Sequence, residues 1–213
     1  MHEAIGRGEH QARVGLGEFS TSKEYIGLGA IEKLQGEITI LDGNVITTTV
    51  GKSNKAIPFK SQSEIQATML AIDKVKHWRE IKIKKDMNQK EFERWLSKQI
   101  EIAKLEKKKS FMFKVEGGLL NLRSHVINGS CPVHAKMKKV DIPSSKKPYE
   151  KVYERKSGIA VGIYAPNSSG DLTHPGTNIH SHVVLKNEKN EYITSHIETS
   201  GVAEGSVIYL PQI

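Results

Sequence analysis

A two-residue turn between two strand-like runs constrains the fold more than any other local feature of this sequence. Residues 37–41 (EITIL) and 44–50 (NVITTTV) are separated only by Asp42-Gly43. Asp-Gly favours positive backbone φ at both turn positions, as tight β-hairpins require. The second run is rich in Val, Ile and Thr, which suit a pleated sheet. The sequence therefore predicts an antiparallel hairpin over residues 37–50.

Several other segments have the alternation or the apolar runs that are typical of strands. Glycines at 117 and 118 indicate a turn inside residues 111–127, which would make that segment a second hairpin. A third hairpin is predicted around the polar sequence KNEKN at 186–190. The predicted strands are 79–84, 111–116, 119–127, 150–164, 178–185, 191–198 and 205–210.

One segment has the pattern of a long helix. Asn88 followed by Glu91 is a variant of the capping box that begins helices. Apolar residues then recur at helical spacing up to Ala103. We predict a helix over about residues 88–107, with lysines in its last turn, where the helix dipole favours positive charge.

The hairpin near the C-terminus carries a candidate metal site. His180 and His182 are two residues apart, so on a strand their side chains lie on one face. His196 lies on the returning strand, and cross-strand neighbours are only about 5 Å apart. Three protein ligands with an open position are typical of catalytic zinc sites. Of the other histidines, His174 is interpreted as a loop residue, and His125 and His134 as structural.

Composition limits the chemistry and the partners. The single cysteine, Cys131, excludes an internal disulfide and a zinc–thiolate cluster, so a metal would need nitrogen and oxygen ligands. The beginning of the sequence lacks an apolar core of signal-peptide length, and no segment is long enough to span a membrane, so we expect a soluble, cytoplasmic protein. The net charge of +8 leaves nucleic acid open as a partner, although the lysine-rich stretches are not interleaved with aromatic side chains.

Four segments in order along the chain resemble the α-acetolactate decarboxylase family. The match runs over roughly residues 12–210. Its parts are GLGAIEKLQGEITILDGNV at 27–45, KAIPF at 55–59, FMFKVEGGLLNLRS at 111–124 and GIAVGIYAPNSSGDLTHPG at 158–176. Two differences are notable: Ala30 replaces a threonine of the family pattern, and the interval from His182 to His196 is longer than the family's.

The resemblance implies an α+β fold of two packed β-rich domains, with mixed or antiparallel sheets and flanking helices. We place an N-terminal mixed-sheet domain with the long helix at residues 1–135. A C-terminal β domain that carries the His-x-His hairpin is placed at 136–213. The boundary follows from a proline- and lysine-rich stretch at 128–148, which is a candidate linker. Members of the family usually form dimers, so a homodimer is expected.

The resemblance also implies a function. Zn²⁺ held by His180, His182 and His196 would act as a Lewis acid for the enediolate formed when 2-acetolactate, or a close 2-hydroxy-3-oxo acid, loses CO₂ to give acetoin. Glu37 and Arg123 would face the substrate as catalytic residues. The family's second active-site glutamate has no aligned residue here, and Glu198 and Glu204 are the candidates for its place.

Two alternatives remain at this stage. One is a divergent relative that acts on another small keto acid, and the other is a non-catalytic binding module stabilised by zinc. The second alternative does not require Glu37 or Arg123.

Overall fold

Two six-stranded antiparallel sheets make up the fold, as a computed structural model of residues 9–59, 65–168, 171–174 and 176–212 shows. The first sheet has the order β1-β6-β2-β3-β4-β5. Its strands are β1 (Val14–Gly15), β2 (Tyr25–Ile31), β3 (Glu37–Leu41), β4 (Asn44–Val50), β5 (Ala56–Pro58) and β6 (Gln66–Lys74).

The second sheet has the order β11-β10-β9-β8-β12-β7, and β11 also pairs with β8. This additional pairing joins strands β8 to β11 into a closed ring. Because β11 has a partner on each side, a residue in the middle of β11 has neighbours on both β10 and β8. The strands are β7 (Trp78–Lys82), β8 (Phe111–Val126), β9 (Tyr149–Tyr164), β10 (Ile179–Lys186), β11 (Tyr192–Val202) and β12 (Val207–Pro211).

The hairpin predicted from Asp42-Gly43 is confirmed. Strands β3 and β4 pair antiparallel, with Leu41 opposite Asn44. The two turn residues have φ of 49° and 75°. This is the left-handed region that a two-residue hairpin turn needs. The turn therefore fixes the register of β3, the strand that begins with Glu37.

The hairpin predicted around Gly117-Gly118 is wrong, because β8 runs without a turn from Phe111 to Val126. These glycines serve close packing instead. A Cβ at Gly117 would lie 2.5 Å from the Ser206 hydroxyl oxygen, and one at Gly118 would lie 2.8 Å from the Ala203 Cβ. The glycine pair therefore marks the place where the connection between β11 and β12 packs closely on β8, and no chain reversal.

The predicted long helix is confirmed at its beginning and corrected at its end. Helix α1 (Gln89–Ile102) begins after Asn88 with both hydrogen bonds of a capping box. It ends five residues earlier than predicted, because Lys104 adopts a left-handed φ of 58°. The lysines of residues 104–109 thus lie beyond the helix, and its last turn has no basic residue. A second helix, α2 (Pro132–Lys138), lies within the candidate linker.

The sheets do not divide the chain at residue 135. β7 and β8, which the sequence interpretation placed in the N-terminal domain, belong to the second sheet. β8 pairs with β9 along its whole length, so the stretch at 128–148 connects two neighbouring strands. The change from one sheet to the other falls between β6 and β7. The division into domains itself stays a prediction.

The two sheets pack against each other through apolar and threonine side chains. Ile26 and Leu28 of the first sheet share a buried cluster with Val161 and Ile163 of the second. Nearby, the Thr39 hydroxyl oxygen lies 2.6 Å from that of Thr194.

No helix in the described ranges is long and apolar enough to cross a membrane.

Candidate metal centre

Three histidines meet in one row across neighbouring strands of the closed ring. His182 on β10 is directly opposite His196 on β11, as the sequence predicted for this hairpin. His196 is in turn opposite His125 on β8. Directly paired residues share a face of the sheet, so all three imidazoles lie on the same side. His180 joins them from two residues earlier on β10.

Backbone carbonyl groups fix the tautomers of two of these histidines. The Nδ1–H of His180 donates to the carbonyl oxygen of Leu172 at 3.0 Å. The Nδ1–H of His182 donates to the carbonyl oxygen of Ile38, also at 3.0 Å. Each Nε2 is therefore unprotonated, as a metal ligand must be.

Burial keeps the cluster neutral. Burial, and to a smaller extent charge on the neighbouring His174, lowers the pKa of His180 to about 3, although the hydrogen bond to Leu172 opposes the shift. Burial also holds the pKa values of His182 and His196 well below the usual range, with neighbouring histidines acting in the same direction. Metal binding needs deprotonated imidazole, so the environment favours the ligating form.

The cluster fits a small divalent metal ion. The ligand nitrogens of His180, His182 and His196 lie within 4.8 Å of one another. His180 Nε2 and His196 Nδ1 are 3.1 Å apart. Tetrahedral zinc, with Zn–N bonds of about 2.0–2.1 Å, separates its nitrogen ligands by about 3.3 Å. Within the described ranges no other group of His, Cys, Asp and Glu converges in this way.

Glu37 lies beside the histidines and belongs to the other sheet. Its Oε1 accepts the backbone N–H of Ile127 at 3.1 Å. Its Oε2 is 3.5 Å from Nε2 of His182. The side chain is 3% exposed, and burial raises its pKa to about 7, although charge on His125 and the Ile127 hydrogen bond oppose the shift. The carboxyl group can therefore be protonated near neutral pH and act as an acid.

A cavity of about 490 Å³ brings these groups together. The three candidate ligands and Glu37 line one part of it, together with His125. Strands β2 and β6 line the other part, mostly with apolar side chains. The cavity thus has a polar end, with the candidate metal centre, and an apolar end. This combination is typical of small-molecule sites.

The structure places His125 in this cavity, where the sequence interpretation had assigned it a structural role. Its ring centroid is 4.8 Å from that of His196. Its Nδ1–H donates to Oε1 of Glu198 at 2.9 Å, and this hydrogen bond lowers the pKa of the carboxyl group. Only the pairing of β11 with β8 brings His125 to the site. No local sequence pattern reveals a pairing between strands more than 60 residues apart.

Arg123 lies at the edge of the site and does not line the first cavity. Its side chain is 61% exposed, and its Nε is 3.8 Å from Oε2 of Glu198. It lines a second cavity, of about 660 Å³, together with His196 and Glu198. Arg123 therefore shares only the second cavity with the candidate ligand His196. A contact between Arg123 and substrate stays a prediction.

Two other residues considered from sequence are now placed. His174 lies in the loop before β10, as interpreted, but it borders both cavities, and its ring centroid is 5.1 Å from that of His196. Burial lowers its pKa. Of the two candidate glutamates, Glu198 lies at the site. Glu204 is exposed next to Asp86, which accepts its backbone N–H.

The two packed sheets and the buried histidine cluster with its adjacent carboxyl group define a β-rich protein with a candidate metal centre. A family model described as alpha-acetolactate decarboxylase matches residues 3–209. The chain therefore belongs to the α-acetolactate decarboxylase family, as the sequence resemblance predicted. A search of curated proteins finds no match.

Solved structures confirm the fold. The chain is similar to alpha-acetolactate decarboxylase from Bacillus subtilis strain 168, with a TM-score of 0.67 and 16% identity over 96% of this chain and 80% of that one. For the enzyme from B. subtilis subspecies spizizenii the values are 0.66 and 16%, over 96% and 81%. A Staphylococcus aureus protein of unknown function, described as similar to alpha-acetolactate decarboxylase, gives 0.65 and 13%, over 95% and 79%. At these identities the likeness shows the fold alone.

Proposed function

We propose that this protein is a zinc-dependent carboxy-lyase that converts 2-acetolactate, or a close 2-hydroxy-3-oxo acid, into acetoin and CO₂. One observation carries the proposal. Three neutral histidines whose nitrogens converge share a cavity with a buried carboxyl group whose pKa is about 7, in a chain of this family. Such a site can hold a Lewis acid next to a proton donor.

The reaction needs an electron sink and a proton. The bond between C2 and the carboxylate carbon breaks, and its electron pair stays on the substrate as an enediolate. His180, His182 and His196 would hold zinc, which when bound supplies the Lewis acid that polarises the substrate carbonyl group. Apolar side chains line part of the cavity. A substrate bound against them would displace water, which strengthens the electrostatic interactions at the reaction centre.

Glu37 supplies the proton in this proposal. Its Oε1 is held by the backbone N–H of Ile127, so Oε2 is the oxygen that is directed towards the histidines. The protonated carboxyl group donates to the carbon that has lost CO₂, which gives acetoin. The carboxylate is then reprotonated from solvent. Burial raises the pKa of this carboxyl group to about 7 in the metal-free site and so favours its protonated form, whereas the charge of bound zinc would lower that pKa.

The first test is turnover. Purified protein, loaded with one equivalent of zinc, is incubated with racemic 2-acetolactate while acetoin and CO₂ are followed. We expect both products in equal amounts, at a rate that falls to background after chelation and recovers when zinc is added. Zinc-loaded protein that leaves acetolactate unchanged but decarboxylates another keto acid supports the divergent-relative alternative. Inactivity towards every acid supports the binding-module alternative.

For Arg123 we propose contact with the substrate carboxylate on the side of the second cavity. A guanidinium group suits a carboxylate because its donors form a planar fork. Glu198, 3.8 Å away, orients the side chain and also accepts the hydrogen bond from His125. Arg123 can have this role only if the bound substrate extends from the first cavity into the second.

Arg123→Ala is therefore expected to raise KM roughly 10- to 100-fold, the cost of one charge-assisted hydrogen-bonded contact, while bound zinc stays at one equivalent. Steady-state kinetics and metal analysis measure the two quantities. Arg123→Lys should recover part of the loss. The exposed Arg79 of β7 gives the control, Arg79→Ala, for a general charge effect. Unchanged kinetics in Arg123→Ala would remove this residue from the site.

The proposal also includes a homodimer in the cytoplasm. The family resemblance supports the homodimer, and the cytoplasmic location stays a prediction from the sequence. The substrate is a small anionic acid, so a nucleic-acid partner is not part of it.

A further inference from the structure

The cavity has an apolar half that a substrate as small as acetolactate does not fill. The pairing of strands β2, β3 and β6 places this apolar half next to Glu37. Ala30 on β2 is opposite Glu37 on β3 and opposite Met69 on β6. Directly paired residues share a face, so the side chains of Ala30 and Met69 stand on the same side of the sheet as the carboxyl group.

The next row of the same sheet continues the apolar surface. Leu28 is opposite Thr39 on one side and Ala71 on the other. Thr39 lies 3.5 Å from Nδ1 of His182, so this row also begins next to the candidate ligands. All five side chains that form this wall line the cavity. They are Leu28, Ala30, Met69, Ala71 and, from the end of β8, Ile127.

Ile127 connects the apolar wall to the acid. It is 5% exposed and belongs to the same buried cluster as Ala30, with Met69 packed against it. Its backbone N–H is the donor that holds Oε1 of Glu37. A substrate placed for proton transfer from Glu37 would therefore point any apolar substituent towards Ile127, Ala30 and Met69.

The volume of the cavity exceeds what acetolactate needs. Acetolactate has about nine non-hydrogen atoms. If each takes about 30 Å³, the volume of one water molecule in the liquid, the substrate occupies roughly 270 Å³. The cavity has about 490 Å³. The remaining space lies along small or flexible side chains of β2 and β6, where an alkyl chain would bury apolar surface. The charged side chains of Arg13 and Asp171 also line this cavity.

We propose that this site prefers 2-hydroxy-3-oxo acids that carry a larger alkyl group than methyl on C2. The inference rests on the proposed function and deepens it. Reaction centre and cofactor are the same as for acetolactate, and the alkyl chain lies against the wall formed by Leu28, Ala30, Met69, Ala71 and Ile127. Each methylene buried there should raise kcat/KM roughly 4-fold until the wall is covered.

The test compares zinc-loaded protein with a series of 2-acetyl-2-hydroxy acids bearing methyl, ethyl, propyl and butyl on C2. We expect kcat/KM to rise from methyl to propyl. A steady fall from methyl onwards, with acetolactate turned over well, overturns the preference and leaves the proposed function intact. No turnover of any acid by protein with a full equivalent of zinc overturns both.

Two variants test the wall itself through the ratio of kcat/KM for propyl to that for methyl. Ala30→Leu fills the space and should lower the ratio at least 10-fold. Met69→Ala enlarges it and should move the optimum to a longer chain, which keeps the test decisive if Ala30→Leu does not fold. Ala103→Leu, just after helix α1, is the matched control and should leave the ratio unchanged. Wild-type ratios in both wall variants would place the alkyl group elsewhere.

Discussion

His196→Ala is expected to weaken zinc binding by more than about 100-fold and to remove decarboxylase activity. The expected loss exceeds what mutation of a residue that only supports a ligand costs, which is typically 10- to 100-fold. His196 is the most informative of the three ligands to remove. His180 and His182 each also satisfy a backbone carbonyl group, whereas Nδ1 of His196 lies 3.1 Å from Nε2 of His180.

The measurement is the dissociation constant for zinc, by competition with a chelator, followed by metal analysis after dialysis. His77→Ala is the control, because that histidine is exposed between β6 and β7, away from the cluster. Circular dichroism of the metal-free proteins separates loss of metal from loss of fold. If His196→Ala keeps a full equivalent of zinc at wild-type affinity, the three-histidine site is the wrong metal centre.

Glu37→Gln is expected to lower kcat at least about 100-fold while zinc remains bound. General acid catalysis by a positioned side chain typically contributes 10²- to 10⁴-fold. The amide is similar in size and its oxygen can still accept the Ile127 N–H, so the packing around residue 37 should survive. Only the transferable proton is lost, and KM should therefore change much less than kcat.

Single-turnover rates and zinc content are the two readouts for this variant. Glu18→Gln, an exposed acid far along the chain from β3, controls for the change in net charge. Two results would contradict the assigned role. Near wild-type kcat would mean that another group donates the proton, and loss of zinc would mean that Glu37 serves the metal rather than the substrate.

The sequence predicted the elements whose determinants are local. The Asp42-Gly43 turn and the capping box at Asn88 each depend on residues only a few positions apart in the sequence. Both are confirmed. The His182–His196 pair is also confirmed, since a hairpin of moderate length brings its own two strands together.

What the sequence did not predict depends on contacts between distant strands. His125 reaches the site because β8 pairs with β11. Gly117 lies within β8 and packs against Ser206 so closely that a side chain would not fit. From the sequence by itself, Glu37 would be interpreted as an exposed surface charge. It is buried because the first sheet packs against the second, and the hydrophobic pattern of β3 does not predict that packing. Family resemblance supplied that residue, and the structure supplies its distance of 3.5 Å from His182.

The tight turn at Asp42-Gly43 has a consequence for which mutations this protein can tolerate. Glu37 lies five residues before the turn, and side chains alternate between the two faces of a strand. Inserting or deleting one residue there would shift β4 against β3, which β2 also holds in place, and would break the pairing of Glu37 with Thr48. Loop length, usually the freest variable among related proteins, is here as constrained as a catalytic side chain.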